Sequence, residues 1–304
     1  MSTAHGKAIL LGEHSVVYGR PALAMSLARG VSATAVRAEL FSLSIPAWQC
    51  DIAPSNSEQA PPLARAFQRL LDACDVSEPL RVVVDVQLPA GAGLGCSAAI
   101  SVAIVRAMDE ALGRPARSHE ALVEASLAWE RVFHGTPSGV DSHVAASNGV
   151  LVFRRGETLT RVRPRKPFYL VVGDSGEASA TNAMVENVAR QHERGHERVE
   201  QIFDGIAALV KNATLSLEHG DLDDVGKLMD LNHALLNALM LSTAKLEAMC
   251  ATARHAGALG AKLTGAGGGG CMIALTDTEE LARRVDSELR AHAVSTFFVR
   301  SEAM

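Results

Sequence analysis

The sequence predicts an α+β fold built as two domains, 1–165 and 166–304, and three observations carry the prediction. Through the first half, Val-, Ala- and Thr-rich stretches of alternating polarity are interleaved with helical patterns. Composition shifts at Arg163-Pro164-Arg165-Lys166-Pro167, and residues 180–255 read as almost wholly helical, with breaks near Gly195, Gly220 and Ser242. Three glycine-rich segments, at 6–14, 89–99 and 262–271, stand far apart and imply a site assembled from both ends and the middle of the chain.

Each element follows from local pattern. Residues 8–11 and 16–17 are short apolar runs around a turn, a strand followed by a hairpin or loop. Stretches 22–27 and 31–43 read as strands, and 46–62, rich in Pro, Ser and Gln, as a surface loop. Leu63, Phe67, Leu70 and Leu71 fall at helical spacing over 63–74. In 81–88, Val82, Val84 and Val86 alternate with Val83, Asp85 and Gln87, a strand that feeds the middle glycine segment. Residues 97–112 are apolar on nearly every side through Val105, so this helix is expected at the centre of its domain; Gly113 and Pro115 end it. Ser118 suits an N-cap for a helix over 121–133, with Glu120 and Glu124 in its opening turns. A loop over 134–141 precedes strands at 149–153 and 168–172. The tail reads as strand, loop and strand over 262–275, helix over 281–289 and strand over 294–299.

Composition narrows the function. With 304 residues, 48% of them hydrophobic, the chain can bury a sizeable core or two compact ones. Its 34 acidic and 29 basic residues leave a net charge of −5 and no basic patch, which argues against nucleic acid as a partner. No apolar run approaches the ~20 residues needed to span a bilayer, and Met1-Ser2-Thr3-Ala4-His5-Gly6-Lys7 lacks the layout of a signal peptide. The five cysteines show no metal spacing and are odd in number, so reduced thiols and a cytoplasmic location are expected.

Two glycine patterns are traps. Gly265-Ala266-Gly267-Gly268-Gly269-Gly270 satisfies G-x-G-x-x-G, but it precedes the strand-like Cys271-Met272-Ile273-Ala274-Leu275 instead of opening a helix, so the dinucleotide reading fails. Pro89-Ala90-Gly91-Ala92-Gly93-Leu94-Gly95-Cys96-Ser97-Ala98-Ala99 lacks the Lys-Ser/Thr of a Walker loop. It still runs into a buried helix, and so can offer backbone N–H groups, a helix N-terminus and a Ser hydroxyl to a phosphate. Lys7 is a candidate for the missing cation, or an exposed lysine near the terminus. Glu130 and Asp141 are the acidic pair of interest, since phosphoryl transfer uses one carboxylate on Mg2+ and another near the attacking hydroxyl. The alternatives are an ion pair of Glu130 with Arg131 or His134, and an Asp141 that caps a helix over 142–146. Ser97 could cap the buried helix, bind the cation, or both, and His14 could be an ordinary loop histidine.

These segments, with His134-Gly135-Thr136-Pro137-Ser138-Gly139-Val140-Asp141 between the second and third, resemble the signature motifs of the GHMP small-molecule kinases, in that family's order and over nearly the whole chain. The resemblance is nearest to the branch that acts on mevalonate. It implies an N-terminal ATP-binding domain of the ribosomal-protein-S5-domain-2-like type and a C-terminal ferredoxin-like α+β domain with additional helices. It also implies Mg2+-dependent transfer from ATP to the 5-hydroxyl of (R)-mevalonate, on the route to isoprenoids. By match to the motifs, Asp141 would take or orient the hydroxyl proton and Lys7 would stabilise the hydroxyl and the transferred charge. With a lysine beside it, Asp141 would orient the hydroxyl more than act as a strong base. Ser97 and Glu130 resemble the Mg2+ ligands. Pro89, Gly91, Ala92, Gly93, Leu94, Gly95, Cys96, Ser97 and Ala98 resemble the triphosphate loop. Lys7, Glu13, His14, Asp141, Thr181, Gly267 and Gly268 lie where the family contacts substrate, and Ser138 would support the active-site turn. The expected partners are the small-molecule substrates, with no nucleic acid and no membrane; a homodimer is left open.

The chain departs from the family at three places. Cys96 stands where the loop usually has a first serine, Ala180-Thr181-Asn182 where Ser-Thr-Lys is common, and His5 where proline is common. A thiol is a weak donor, which weakens a phosphate contact at Cys96. Galactokinases follow Gly-Glu-His with Thr-Asp-Tyr for sugar hydroxyls, whereas Ser15-Val16-Val17 suits a methyl-bearing acid. Phosphomevalonate and homoserine kinases, a related decarboxylase and a non-catalytic ligand sensor remain as alternatives. A sensor would be expected to lose Lys7, Glu130 or Asp141, and all three are present.

Overall fold

The computed structural model describes residues 1–89, 91–134, 139–179 and 181–301. The chain divides into two compact units, each drawn from separated segments. Met1–Lys7, Ala28–Leu88 and Gly95–Asn148 form the first; Ala8–Leu27, Pro89–Leu94 and Gly149–Met304 form the second. Two strands, β1 (Ser2–Leu11) and β2 (Ala22–Arg37), pair with each other and lend residues to both units.

In the first unit, β3 (Ser42–Ile45) pairs antiparallel with β4 (Cys50–Ile52) and parallel with β5 (Leu80–Val86). β5 in turn runs antiparallel to the later half of β2, with Val31 opposite Val86 and Arg37 opposite Leu80. α1 (Pro62–Ala73) opens on proline, which costs nothing at a helix start because the missing N–H has no intrahelical acceptor there. α2 (Cys96–Ala111) buries Ile100, Val102, Ile104 and Val105, as its all-round apolar sequence requires. α3 (His119–His134) starts at the expected cap, Ser118 Oγ accepting from Ala121 N at 3.2 Å. α4 (Val140–Ala145) follows it.

In the second unit, the early half of β2 pairs with β6 (Val150–Phe153), and β6 with β7 (Thr160–Val162). A second, antiparallel sheet of four strands has β8 (Tyr169–Asp174) at its centre. Its other strands are β9 (Gly260–Leu263), β10 (Cys271–Thr276) and β11 (Ser295–Arg300), in the order β11-β8-β10-β9. Its helices are α5 (Thr181–Arg194), α6 (His196–His219), α7 (Leu222–Ala238), α8 (Ala244–His255) and α9 (Glu279–Leu289). Val171, Phe203, Ile206, Leu236, Met249, Leu263 and Val285 share one buried core. Among the described residues, no helix is long and apolar enough to cross a membrane.

Local readings differ from this architecture at four places. Residues 16–17 belong to a 3-10 turn, Ser15–Tyr18, closed by a left-handed Gly19. The stretches 22–27 and 31–43 are mostly one strand, β2, whose alternation is interrupted by exposed Ala28 and Arg29. The expected loop 46–62 contains β4, and β7 lies in a stretch with no strong apolar signal. As expected, by contrast, the glycine-rich segment 265–270 joins β9 to β10 as antiparallel neighbours, with Met272 opposite Leu263, and opens no helix.

Candidate active site

Lys7, at the end of the first unit's share of β1, is a buried lysine, 4% exposed at its side chain. Burial of an ammonium is costly unless a carboxylate answers it. Asp141 does so, with Oδ1 3.2 Å from Lys7 Nζ. Asp141 stands in the first turn of α4, where the helix dipole favours a negative charge, and its side chain is 39% exposed. The pair is thus asymmetric, with the cation held inside and the carboxylate open at the surface. Asp141 is not the cap of α4; Gly139 takes that position.

The glycine segment closes over the same lysine. Gly95 caps α2 at φ 69°, and a Cβ there would lie 2.7 Å from Lys7 Cγ, so glycine is required for both the backbone and the approach. α2 therefore presents its first N–H groups beside the Lys7–Asp141 pair, the arrangement that binds an anion.

Glu130, near the end of α3, is 4% exposed. It accepts from Ser97 Oγ at 2.5 Å, and Ser97 Oγ accepts from Trp129 Nε1 at 3.1 Å. The N-cap position of α2 is held by Gly95, with Ser97 inside the first turn. Burial pushes the Glu130 carboxyl up to about 7; the Ser97 hydroxyl opposes this, the Asp141 charge adds to it and Lys7 opposes it. Arg131 pairs with Glu124 at 3.0 Å. A hydroxyl and a buried carboxylate in contact are the hard oxygen donors that suit Mg2+, so the residues present fit that ion. Cys96 is buried beside them, its thiol pushed up to about 12 by burial and by the Glu130 charge.

In the second unit, Glu13 and His14 follow β1. Glu13 is 1% exposed and accepts from Asn232 Nδ2 at 3.1 Å and from the buried Lys262 Nζ. His14 holds φ 59°, and its Nε2–H donates to the Ala266 carbonyl at 2.9 Å. Burial lowers the His14 pKa, an effect the Ala266 bond opposes. Residues 265–270 are fixed from several sides. Ser179 Oγ donates to Gly267 O at 2.8 Å, and Gly268 N to Leu241 O at 2.8 Å. Gly267, at φ 76°, leaves only 2.3 Å between a built Cβ and Leu241 O. A Cβ on Gly93 would lie 3.4 Å from Thr264 O, so the middle and last glycine segments approach through their backbones. Pro89 and Ala92 precede that contact, with Leu94 after it, and Ala92 and Leu94 are buried. Gly91 takes φ 68° and Ala98 is buried inside α2. Thr181 opens α5. Ala90, Ala180 and the turn residues Gly135, Thr136, Pro137 and Ser138 lie outside the described residues, so the role expected of Ser138 does too.

Three site-building residues had no assigned role from the sequence. Lys262 stood inside a recognised motif, and its place within an apolar strand was the available signal: a buried lysine demands a carboxylate. Asn232 and Ser179 carried no comparable signal.

Comparisons with known proteins agree with one another. Residues 62–149 match the GHMP kinases N terminal domain and residues 207–295 the GHMP kinases C terminal family. A mevalonate kinase of Pyrococcus horikoshii is 34% identical over 297 residues, covering 90% of this chain and 88% of the relative. One from Methanothermobacter thermautotrophicus is 33% identical over 273 residues, covering 90% and 89%. The structure of L. major mevalonate kinase in complex with R-mevalonate superposes with a TM-score of 0.87 at 26% identity, over 99% of this chain and 95% of the other.

Proposed function

From a chain that belongs to the GHMP kinase family, among its mevalonate kinases, we infer an enzyme that transfers the γ-phosphoryl group of ATP to the 5-hydroxyl of (R)-mevalonate, giving 5-phosphomevalonate and ADP. The observation that carries the chemistry is the buried Lys7 paired with Asp141 at 3.2 Å beneath Gly95.

Lys7 holds a fixed positive charge where the attacking hydroxyl gains negative character, and it needs no reorganisation to do so. The exposed carboxylate of Asp141 accepts the hydroxyl's hydrogen bond, aims its oxygen and directs its proton away from the forming O–P bond. Gly91, Ala92, Gly93, Leu94, Gly95, Cys96, Ser97 and Ala98 bind the triphosphate through backbone N–H groups and the N-terminus of α2, and Pro89, which has no N–H to donate, sets the start of the loop. Ser97 and Glu130 would hold Mg2+, which when bound neutralises phosphate charge. Glu13, His14, Thr181, Gly267 and Gly268 are assigned to substrate contact. Glu13 is anchored for it by Lys262 and Asn232, and His14 by Ala266. Domain limits of 1–165 and 166–304, a cytoplasmic location and a role in isoprenoid synthesis belong to the same reading. The matched family segments 62–149 and 207–295 fall on either side of residue 165.

The test is an ADP-release assay with Mg2+-ATP against (R)-mevalonate, 5-phosphomevalonate, homoserine and galactose. Turnover with mevalonate, and product phosphorylated on the 5-oxygen, is expected. Turnover only with another acceptor would overturn the substrate while leaving the phosphate loop in place. No acceptor-dependent turnover would favour a sensor.

A further inference from the structure

We propose that His192, His196 and Glu200 form a binding site for a zinc-class divalent transition-metal ion at the junction of α5 and α6, apart from the residues assigned to phosphoryl transfer.

The local repeat Gln-His-Glu-Arg-Gly-His-Glu-Arg over 191–198 sets the geometry. His192 lies in the last turn of α5, Gly195 breaks the helix, and His196 opens α6 with Glu200 one turn further on. The three residues each offer one ligand atom, and these atoms lie within 4.8 Å of one another. His192 Nε2 is 2.7 Å from Glu200 Oε1, and the two imidazole rings are 4.4 Å apart between centroids at 65°. Two imidazoles and one carboxylate are a zinc-type donor set that leaves a fourth position for water. Mg2+ and Ca2+ prefer oxygen donors, so the nitrogens favour a first-row transition ion.

The surroundings support ligand orientation as well as ligand identity. Arg20 Nη2 binds Glu200 Oε2, leaving Oε1 directed at His192, and the same guanidinium holds Asp204 Oδ1 at 2.9 Å. Arg20 also sets a positive charge against the Glu200 carboxylate and so supports the charged ligand that a metal requires. The His192 ring is set by Tyr18, 4.8 Å away, and by Phe203, which stacks on Tyr18 at 4.6 Å. Such fixed outer partners are what metal sites use to aim their histidines. A plain His192–Glu200 hydrogen bond would account for two of the residues but gives His196 no reason to be there. On binding, His192 Nε2 presents its lone pair to the ion, and the proton now directed at Glu200 moves to Nδ1 or leaves to solvent.

The experiment uses the full chain, stripped with EDTA, dialysed and held in millimolar Mg2+ so that oxygen-donor sites are filled. Zn2+ is titrated against a chromophoric chelator, and Co2+ is added separately to read its visible d–d bands. One equivalent of Zn2+ and a tetrahedral Co2+ spectrum are expected. His196→Gln and Glu200→Gln should each weaken Zn2+ binding about tenfold or more and abolish the Co2+ bands. His255→Gln, at an exposed histidine elsewhere, should change neither. His196 is exposed, so its variant should keep the wild-type urea midpoint in EDTA, and Zn2+ should raise the midpoint only in the wild type. No stoichiometric binding by the wild type, or equal binding by His196→Gln, would overturn the site.

Discussion

Lys262 donates from its ammonium to the carboxylate of Glu13, and the two side chains are only 0% and 1% exposed. The Leu263 carbonyl takes a second Lys262 hydrogen at 2.5 Å, and Asn232 gives Glu13 another donor. Two buried charges of this kind are costly alone and tolerable together. Lys262→Met or Glu13→Gln should therefore each destabilise the protein by about 3–5 kcal/mol in urea unfolding, with the double variant well short of the sum. Additive losses would remove the pair from the account.

The Lys7–Asp141 pair should behave differently, because its purpose is chemistry. Lys7→Met should lower kcat by about two to three orders of magnitude, the range for one preorganised charge-stabilising donor, and change the KM for ATP much less. Asp141→Asn should also lose most of kcat. If it retained most of kcat with unchanged Mg2+ dependence, the orienting role of Asp141 would be wrong.

Glu130 and Ser97 give a metal-specific readout. Glu130→Gln should raise the Mg2+ concentration needed for half-maximal activity by about tenfold or more, and excess Mg2+ should restore part of the rate. An unchanged Mg2+ titration with merely lower protein stability would make Glu130 a packing residue.

Much of the fold was legible because its signals were local. Phe67, Leu70 and Leu71 marked α1, the apolar run after Ser97 marked a central α2, and Ser118 marked the start of α3 through one side-chain bond. The illegible parts depend on distant partners. β4 has three residues, and only pairing with β3 makes it a strand. Val16 and Val17 favour a strand by type, but the chain turns there between Gly12 and Gly19, both at positive φ. The site divides in the same way. Lys7, Glu130 and Asp141 could be nominated from motif spacing, whereas Lys262 meets Glu13 across 249 residues and Asn232 meets it across 219. Chemistry-bearing loops announce themselves in sequence; the groups that hold their side chains in place need not.

The thiols make a prediction of their own. All five cysteines are free; Cys50 is partly exposed and Cys74, Cys96, Cys250 and Cys271 are buried. Burial pushes Cys74 up to about 11 and Cys96 and Cys250 up to about 12, and raises Cys271 as well, so none of the four supplies thiolate at neutral pH. A disulfide reagent should therefore label one thiol quickly in the native protein and all five in denaturant. Cys50→Ser should remove the fast phase without loss of activity. Rapid native labelling of Cys96 would show that α2 opens at its first turn.

The histidines and Glu130 set opposing pH dependences. Burial lowers the pKa of His14, His143 and His233 below the usual 6.5. Their neutral forms are favoured by folding, so this stability is present above about pH 6.5 and is lost as pH falls through the depressed native values. Glu130, raised to about 7, acts the other way: its contribution is full below about pH 4.5 and is lost as pH rises through 7. Urea midpoints in Mg2+-free buffer should consequently fall below pH 6 for the wild type. His14→Gln, which can keep a donor toward the Ala266 carbonyl without titrating, should flatten that acid limb and leave the region above pH 7 unchanged. Glu130→Gln should instead steepen the fall below pH 7, because the carboxyl it removes gains stability there as the histidines lose it. An acid limb as steep in His14→Gln as in the wild type would mean that the His14 ring reaches water before the protein unfolds.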